Sequence, residues 1–191
     1  MLDYGPGNMD ALSTLKDEHS TIAVEMYHMD RLLAFLESSG PIRGARILRE
    51  LVESSGQMSE NLQLHVSKEE RGLFPVLESR LGKDRDLLEV MRREHAELLS
   101  SLESLRSELD RMTKDHDTKK TWTLASRLQE LRGDLSDHLS REERVVFWLA
   151  ELRLSPLDQK KIAFNIQSMI ESAGRLGPPV FPVRVLSRVP V

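Results

Sequence analysis

Two short stretches of the chain are almost identical, and each places a histidine four residues before a glutamate. The first, His-Val-Ser-Lys-Glu-Glu-Arg, occupies residues 65–71, and the second, His-Leu-Ser-Arg-Glu-Glu-Arg, occupies residues 138–144. Four residues are about one helical turn, so the histidine and the glutamate of each stretch are expected on one helix face. Imidazole and carboxylate groups placed in this way are suited to binding a metal ion.

A further histidine lies upstream of each stretch: His19 precedes the first and His95 precedes the second. The two halves of the chain together supply four histidines and two glutamates, which is the inventory of a metal site. The candidate metal ligands are His19, His65, Glu69, His95, His138 and Glu142.

Four more glutamates adjoin these candidates in the sequence. Glu70 and Glu143 follow the candidate glutamates and are rotated by about 100° from them, so we expect them to be solvated or to lie just outside the site. Glu18 and Glu94 precede the histidines. Either could accept a hydrogen bond from an imidazole and orient it, or form a surface ion pair instead.

Apolar residues recur at alternating spacings of three and four over most of the chain, which predicts long amphipathic helices. Gly40-Pro41 is expected to end the first helix, and Pro75 to kink or end the second. The predicted helices run from Asn8 or Asp10 to about Ser39, from about Ala45 to Leu81, from about Asp84 to Met112, and from the end of a polar loop at 113–120 to about Arg153.

Four such helices with short connections predict an all-α fold, an antiparallel up-down-up-down four-helix bundle. Ser155, Pro156 and Asp158 form a capping signature for a short fifth helix. The proline-rich, apolar end of the chain predicts an extended tail, docked on the bundle or on a neighbouring subunit. The expected segments are an irregular lead at 1–9, the bundle at 10–153, an accessory helix at 154–173 and the tail at 174–191.

The six candidate ligands all fall within the apolar seams of the predicted helices, at one end of an antiparallel bundle. Buried carboxylates without partners cost several kcal/mol each, a large part of the ~5–15 kcal/mol by which a domain is stable. Bound metal ions remove that cost by pairing with the buried groups. The alternative explanation of these six residues is a buried hydrogen-bond network without metal. The remaining histidines, His28 and His116, fall outside the seams and are expected on the surface.

The ligand set contains imidazole and carboxylate and no thiolate, and it is duplicated. Two imidazoles for each ion and two carboxylates able to bridge favour two iron ions joined by an oxo or hydroxo bridge, with manganese as the second choice. About one coordination position on each ion would remain open to dioxygen, peroxide or nitric oxide.

In these residues the chain resembles the hemerythrin-like family, the HHE cation-binding domain. The resemblance implies a non-haem di-iron site with the two glutamates bridging. The ligand order is most similar to that of the di-iron domain of iron–sulfur-cluster repair proteins. Oxygen-carrying hemerythrins differ, because they place another histidine where this chain has Leu99 and an aspartate where it has Glu143. Ferritin-type bundles are a weaker match, since their Glu-x-x-His pattern occurs only at Glu25 and His28, outside the seam.

The composition excludes several other classes of protein. The chain has no cysteine, so it cannot form disulfides or thiolate-held metal sites by itself. Its net charge of −4, with both signs interleaved, offers no nucleic-acid surface. No long apolar run or signal-peptide pattern occurs, so we expect a cytoplasmic protein without membrane contact.

The sequence thus predicts a di-iron protein that binds or reduces a small oxidant in oxidative or nitrosative stress defence or in iron handling. The alternative is a non-catalytic iron or oxygen sensor, or an iron-binding module. The expected partner is a small diatomic or peroxide ligand, and the sequence leaves any electron donor or protein partner open.

Overall fold

The structure is a computed structural model that describes residues 10–39, 41–114 and 120–174, and these contain helices and short connections but no strand. Two short π-helical segments, which we name π1 and π2, interrupt the helices, and a 3-10 turn spans Gly82–Arg85. In chain order the elements are α1 (Ala11–Glu37), α2 (Pro41–Lys68), π1 (Glu69–Leu73), α3 (Phe74–Leu81), α4 (Asp86–Lys114), α5 (Lys120–Arg141), π2 (Glu142–Phe147), α6 (Trp148–Arg153) and α7 (Pro156–Gly174).

The helix ends largely follow the capping chemistry of the sequence. Asp10 caps α1, since its side chain accepts a hydrogen bond from the Leu12 backbone N–H at 3.2 Å. The predicted start of the second helix at Ala45 is wrong, because α2 already begins at Pro41. Proline suits the first position of a helix, where its missing N–H would have no helical partner. The connection between α1 and α2 is therefore shorter than the one that we expected.

The four long helices pack in a closed ring: α1 contacts α2, α2 contacts α4, α4 contacts α5, and α5 contacts α1. The resulting helical bundle has two apolar core clusters. One cluster includes Ile22, Leu62 and Leu102 and runs along the long helices, and the other includes Phe74 and Phe147 and lies around α3, α6 and α7. The buried polar residues of the candidate site belong to neither cluster.

The π segments begin at Glu69 and Glu142, the two candidate metal-ligating glutamates. In π1 the Phe74 N–H bonds to the Glu69 carbonyl, five residues back. Pro75 follows π1, so the helix is interrupted near this proline as expected. The second interruption, π2, has no proline near it. Proline is therefore not the common cause. Both segments instead share the buried glutamate, and π-helical turns are frequent at functional sites.

Helix α7 is joined to the bundle at two places. At its start, Ser155 and Asp158 form the predicted capping box, and Asp158 also receives two hydrogen bonds from Arg80 of α3. Farther along, α7 lies against π1 where the absence of a side chain at Gly72 allows close approach. A Cβ atom built on Gly72 would lie 3.0 Å from Cγ1 of Ile166.

No helix in the described ranges is long and apolar enough to cross a membrane. The predicted irregular lead at 1–9, most of the predicted tail, at 175–191, and His116 lie outside the described residues.

Candidate metal centre

The structure brings all six candidate ligands together at one level of the bundle. His19 comes from α1, the first histidine–glutamate pair from α2 and π1, His95 from α4, and the second pair from α5 and π2. Their side chains are buried: both glutamates are 0% exposed, and no histidine exceeds 3%. By contrast, His28 is 38% exposed, and its Nε2 atom lies 3.9 Å from Oε1 of Glu50.

The Nε2 atoms of the four histidines converge on the two glutamates. His19 and His65 form one pair, with their Nε2 atoms 3.1 Å apart. The carboxylate of Glu69 lies 3.4 Å from Nε2 of His65 and 3.3 Å from Nε2 of His95. Glu69 therefore contacts imidazoles from both halves of the chain.

Glu142 makes the same kind of contact from the opposite half. Its carboxylate oxygens lie 3.4 Å from Nε2 of His138, 3.4 Å from Nε2 of His19 and 3.5 Å from Nε2 of His95. Two groups of side chains could each hold an ion, with potential ligand atoms within 4.8 Å of one another. One contains His19 and His65 with both glutamates, and the other contains His95 and His138 with Glu142.

The Nδ1 atoms of the same histidines point outward, and each lies 2.8 to 3.0 Å from a glutamate oxygen. We call these four glutamates the outer carboxylates. They hold the imidazoles in the orientation that directs Nε2 to the centre. The pairs are Glu18 with His65, Glu70 with His95, Glu94 with His138, and Glu143 with His19.

The outer carboxylates connect the helices in a closed sequence. The glutamate of each helix bonds to the histidine of the next helix around the bundle, so that α1 orients α2, π1 orients α4, α4 orients α5, and π2 orients α1. Both alternatives predicted for Glu18 and Glu94 are present: each bonds to an imidazole, although on another helix, and each also forms an ion pair with a cation. Glu143 is 50% exposed and Glu70 is 32% exposed, so both keep contact with solvent while each also bonds to a histidine just outside the centre, as expected.

Two cations complete this layer, and the sequence analysis did not identify them. Lys68 donates a hydrogen bond to Glu18, and Arg141 donates one to Glu94. Lys68 and Arg141 both follow the site histidine of their helix by three residues, so their role could have been found by comparing the two repeated stretches. Burial raises the pKa of Glu18, but the hydrogen bonds and charges of His65 and Lys68 outweigh it and lower that pKa.

The central carboxylates have no hydrogen-bond partner among the described residues. Both oxygens of Glu69, both oxygens of Glu142 and Nε2 of His95 are buried, and their mutual contacts of 3.3 to 3.5 Å lack hydrogen-bond geometry. Burial raises the pKa of Glu69, and the nearby charge of Glu142 adds to the effect. For Glu142, burial acts in the same direction, but the surrounding imidazoles lower its pKa well below the ordinary value. Such a cluster of unpaired buried acceptors is costly, and metal ions would satisfy it.

The histidines respond to the same carboxylates. Burial lowers the pKa of His95, but its contacts with Glu142 and Glu69 outweigh burial and raise the pKa to about 10. The pKa of His65 is also raised, because Glu69 and the hydrogen bond to Glu18 outweigh burial. Metal binding at His95 therefore has to displace a proton from this imidazole.

Apolar side chains close the site on two sides. The ring of Phe147 stacks on His19 with centroids 5.2 Å apart, and Phe74 stacks on His95 at 5.8 Å. Leu99, which replaces the further histidine of oxygen-carrying hemerythrins, packs against the core that runs along the long helices. The arrangement is a dry, pre-oriented set of nitrogen and oxygen donors, chemically suited to divalent transition metals.

The comparisons with known proteins agree with this geometry. The family described as the hemerythrin HHE cation binding domain matches residues 10–150. Among curated proteins, the iron-sulfur cluster repair protein YtfE of Enterobacter sp. (strain 638) is 31% identical over 105 residues, which cover 54% of this chain and 48% of that protein. YtfE of Escherichia coli O157:H7 is 33% identical over 92 residues, covering 47% and 42%. YtfE of Edwardsiella ictaluri (strain 93-146) is 33% identical over 101 residues, covering 52% and 46%.

The matched segment spans less than half the length of these relatives. The family match, in contrast, covers most of the chain and includes all six residues of the centre. The chain belongs to the hemerythrin HHE cation-binding family.

Proposed function

We propose that the chain is a non-haem di-iron protein that binds or reduces a small oxidant (dioxygen, peroxide or nitric oxide) in stress defence or iron handling. The observation that carries this proposal is the pair of fully buried, unpaired carboxylates surrounded by four imidazole Nε2 atoms. In the antiparallel up-down-up-down bundle that we infer, each helix hairpin contributes half of the centre.

The geometry supports a division of the ligands between two ions. His19 and His65 would hold one ion, and His95 and His138 would hold the other. Glu69 and Glu142 contact imidazoles of both pairs, so each is placed to bridge the two ions. The ligands come from four different helical stretches, so bound metal would join the helices at this level.

The charges around the centre favour divalent ions. Six carboxylates lie at or directly beside the four imidazoles, whereas Lys68 and Arg141 are the cations bonded to the outer carboxylates. This excess of negative charge offsets the charge of two divalent ions. Imidazole and carboxylate donors without thiolate suit iron, with manganese as the alternative metal.

A pair of ferrous ions would supply the electrons with which a small oxidant is reduced. The protein's own residues orient the imidazoles through the outer carboxylates and exclude bulk water with Phe74 and Phe147. The names of the curated relatives connect this kind of domain to iron–sulfur cluster repair. For this chain we propose only the reaction of a small oxidant at a di-iron centre. Whether the chain shares the repair activity named for the longer relatives is a separate test.

The alternative function is a sensor or iron-binding module. In such a module, binding of metal or oxidant changes the conformation of the bundle once, without repeated turnover. The link between π1 and α7 at Gly72 offers such a module a mechanical connection, since the Glu69 segment contacts an accessory helix. This observation favours a sensor as the second candidate.

Turnover distinguishes the two functions. The iron-loaded protein is mixed with a chemical reductant and an excess of hydrogen peroxide or nitric oxide, and oxidant consumption is followed with an electrode. An enzyme consumes many equivalents per chain, and a His138→Ala variant does not. A sensor consumes about one equivalent of oxidant per chain and then stops. His28→Ala is the control variant and should behave like the unmodified protein in either case. Absence of any reaction with these oxidants or with dioxygen would contradict the proposal.

A further inference from the structure

The two halves of the bundle match residue for residue around the centre, which allows one half to serve as a control for the other. Glu18, His19 and Lys68 of the first half correspond to Glu94, His95 and Arg141 of the second. The π segments also begin at equivalent glutamates. Differences between the halves are therefore informative.

The second half contains a cavity of about 220 Å³ between α4 and α5. His138 forms part of its wall, and the Nε2 atom of that histidine lies 3.4 Å from Glu142. The side chain of His138 thus contacts both the cavity and the centre. The charged residues of the wall are four acids and one base: Glu94, Glu97, Asp134, Asp137 and Arg141.

The matching positions of the first half lack these acids. Thr21, Asn61 and Leu64 stand where the second half has Glu97, Asp134 and Asp137. The amide of Asn61 is also engaged, since it donates a hydrogen bond to Glu25.

The cations differ as well. Each cation is bonded to its outer carboxylate, but the Lys68 side chain is 6% exposed, whereas the Arg141 side chain is 44% exposed at the edge of the acidic cavity. The three additional acids of the cavity therefore have no counterpart at the matching positions of the first half.

We propose that this cavity is the route by which ferrous ions reach the centre, an inference that rests on the proposed di-iron function. A negatively lined cleft with low-dielectric walls raises the local concentration of cations and their rate of arrival. Neutral oxidants such as dioxygen gain nothing from this charge, so the acids point to a cation. His138 and His95 lie on the cavity side of the centre, so an ion held by these two residues would be expected to exchange first.

The test measures metal uptake instead of activity. Metal-free protein is mixed with ferrous or cobaltous ion in a stopped-flow instrument, and binding is followed by absorbance at low salt. The Asp134→Asn/Asp137→Asn variant should take up metal about tenfold more slowly, within the range typical of electrostatic steering, and reach the same final stoichiometry. A Glu89→Gln/Glu130→Gln variant changes exposed acids of the same two helices outside the cavity and should load at the unmodified rate.

High salt should reduce the difference, since it screens exposed charges. Glu97→Gln provides a second variant in case the double substitution impairs folding. Equal uptake rates for the cavity variants and the unmodified protein, or equal slowing by the control, would overturn the route. If the unmodified protein binds no metal at all, the proposed function itself fails, and that outcome is distinct from an unchanged rate.

Discussion

Glu18 bonds not to His19, its neighbour in the sequence, but to Nδ1 of His65 on the next helix, at 3.0 Å. The same crossing is repeated around the bundle until Glu143 returns to His19 at 3.0 Å. Each helix therefore depends on its neighbour for the orientation of its histidine. The candidate metal centre and the hydrogen bonds between the four helices form one connected polar network.

The outer carboxylates are expected to control metal affinity without touching metal. Glu70→Ala removes the acceptor of the His95 Nδ1 hydrogen bond, which is 2.8 Å long. Loss of such an orienting partner typically lowers metal affinity about 10- to 100-fold. The measurement is a competition titration against a chelator of known affinity.

Glu89→Ala, at an exposed position on α4, is the control and should leave affinity unchanged. If Glu70→Ala binds metal as tightly as the control, the hydrogen bond does not orient His95 in solution.

Metal affinity should rise with pH from neutral to alkaline conditions. Burial lowers the pKa of His95, but Glu142 and Glu69 outweigh it and raise the pKa to about 10 in the metal-free chain. Metal must displace that proton, so uptake near neutral pH should release protons. Calorimetry in buffers of different ionisation enthalpy counts the released protons, and zero release at neutral pH would contradict the raised pKa.

The same titration has the opposite effect on the stability of the metal-free chain. The His95 pKa is raised from 6.5 to about 10 in the folded chain, so its contribution to stability is fully present below about 6.5 and is lost as pH rises through about 10. The stabilisation conferred by metal should therefore grow with pH. Thermal unfolding of the metal-bound and metal-free forms from about pH 6 to pH 9 measures their difference in stability. A difference that stays constant over this range would contradict the prediction.

The close approach of α7 to π1 should be sensitive to a single methyl group. A Cβ atom at Gly72 would lie 3.0 Å from Ile166 and 3.2 Å from Met169. Gly72→Ala should therefore reduce the free energy of unfolding by about 1–3 kcal/mol relative to Gly133→Ala, whose Cβ meets no atom within 4 Å. Denaturant titration of the two variants gives the difference. Equal stabilities would show that α7 does not press on π1.

The helices and the six central residues could be predicted from the sequence because both depend on local periodicity. The three-four spacing that forms a bundle seam also places His65 and Glu69 on one face, and the repeat of the stretch shows that the pattern occurs twice. The resemblance to the hemerythrin-like family was carried by these same residues and is confirmed by the family match.

Other features depend on which helices are neighbours, and periodicity does not report this. That Glu18 would reach His65 and not His19 follows from the packing of α1 on α2. The π segments were missed because a glutamate at the start of a wide turn has no distinctive composition. The start of α2 does not follow from the sequence because a Gly-Pro pair is typical of a helix end, whereas Pro41 begins a helix.

Iron content per chain tests the central claim most directly. The unmodified protein is loaded anaerobically with ferrous iron and freed of excess metal. It should contain about two irons per chain, one for each pair of imidazoles. Glu69→Ala and His138→Ala should retain less iron, and His28→Ala, outside the centre, should retain the same amount as the unmodified protein. A folded protein that takes up no iron, or equal iron loss in all three variants, would contradict a di-iron centre built from these residues.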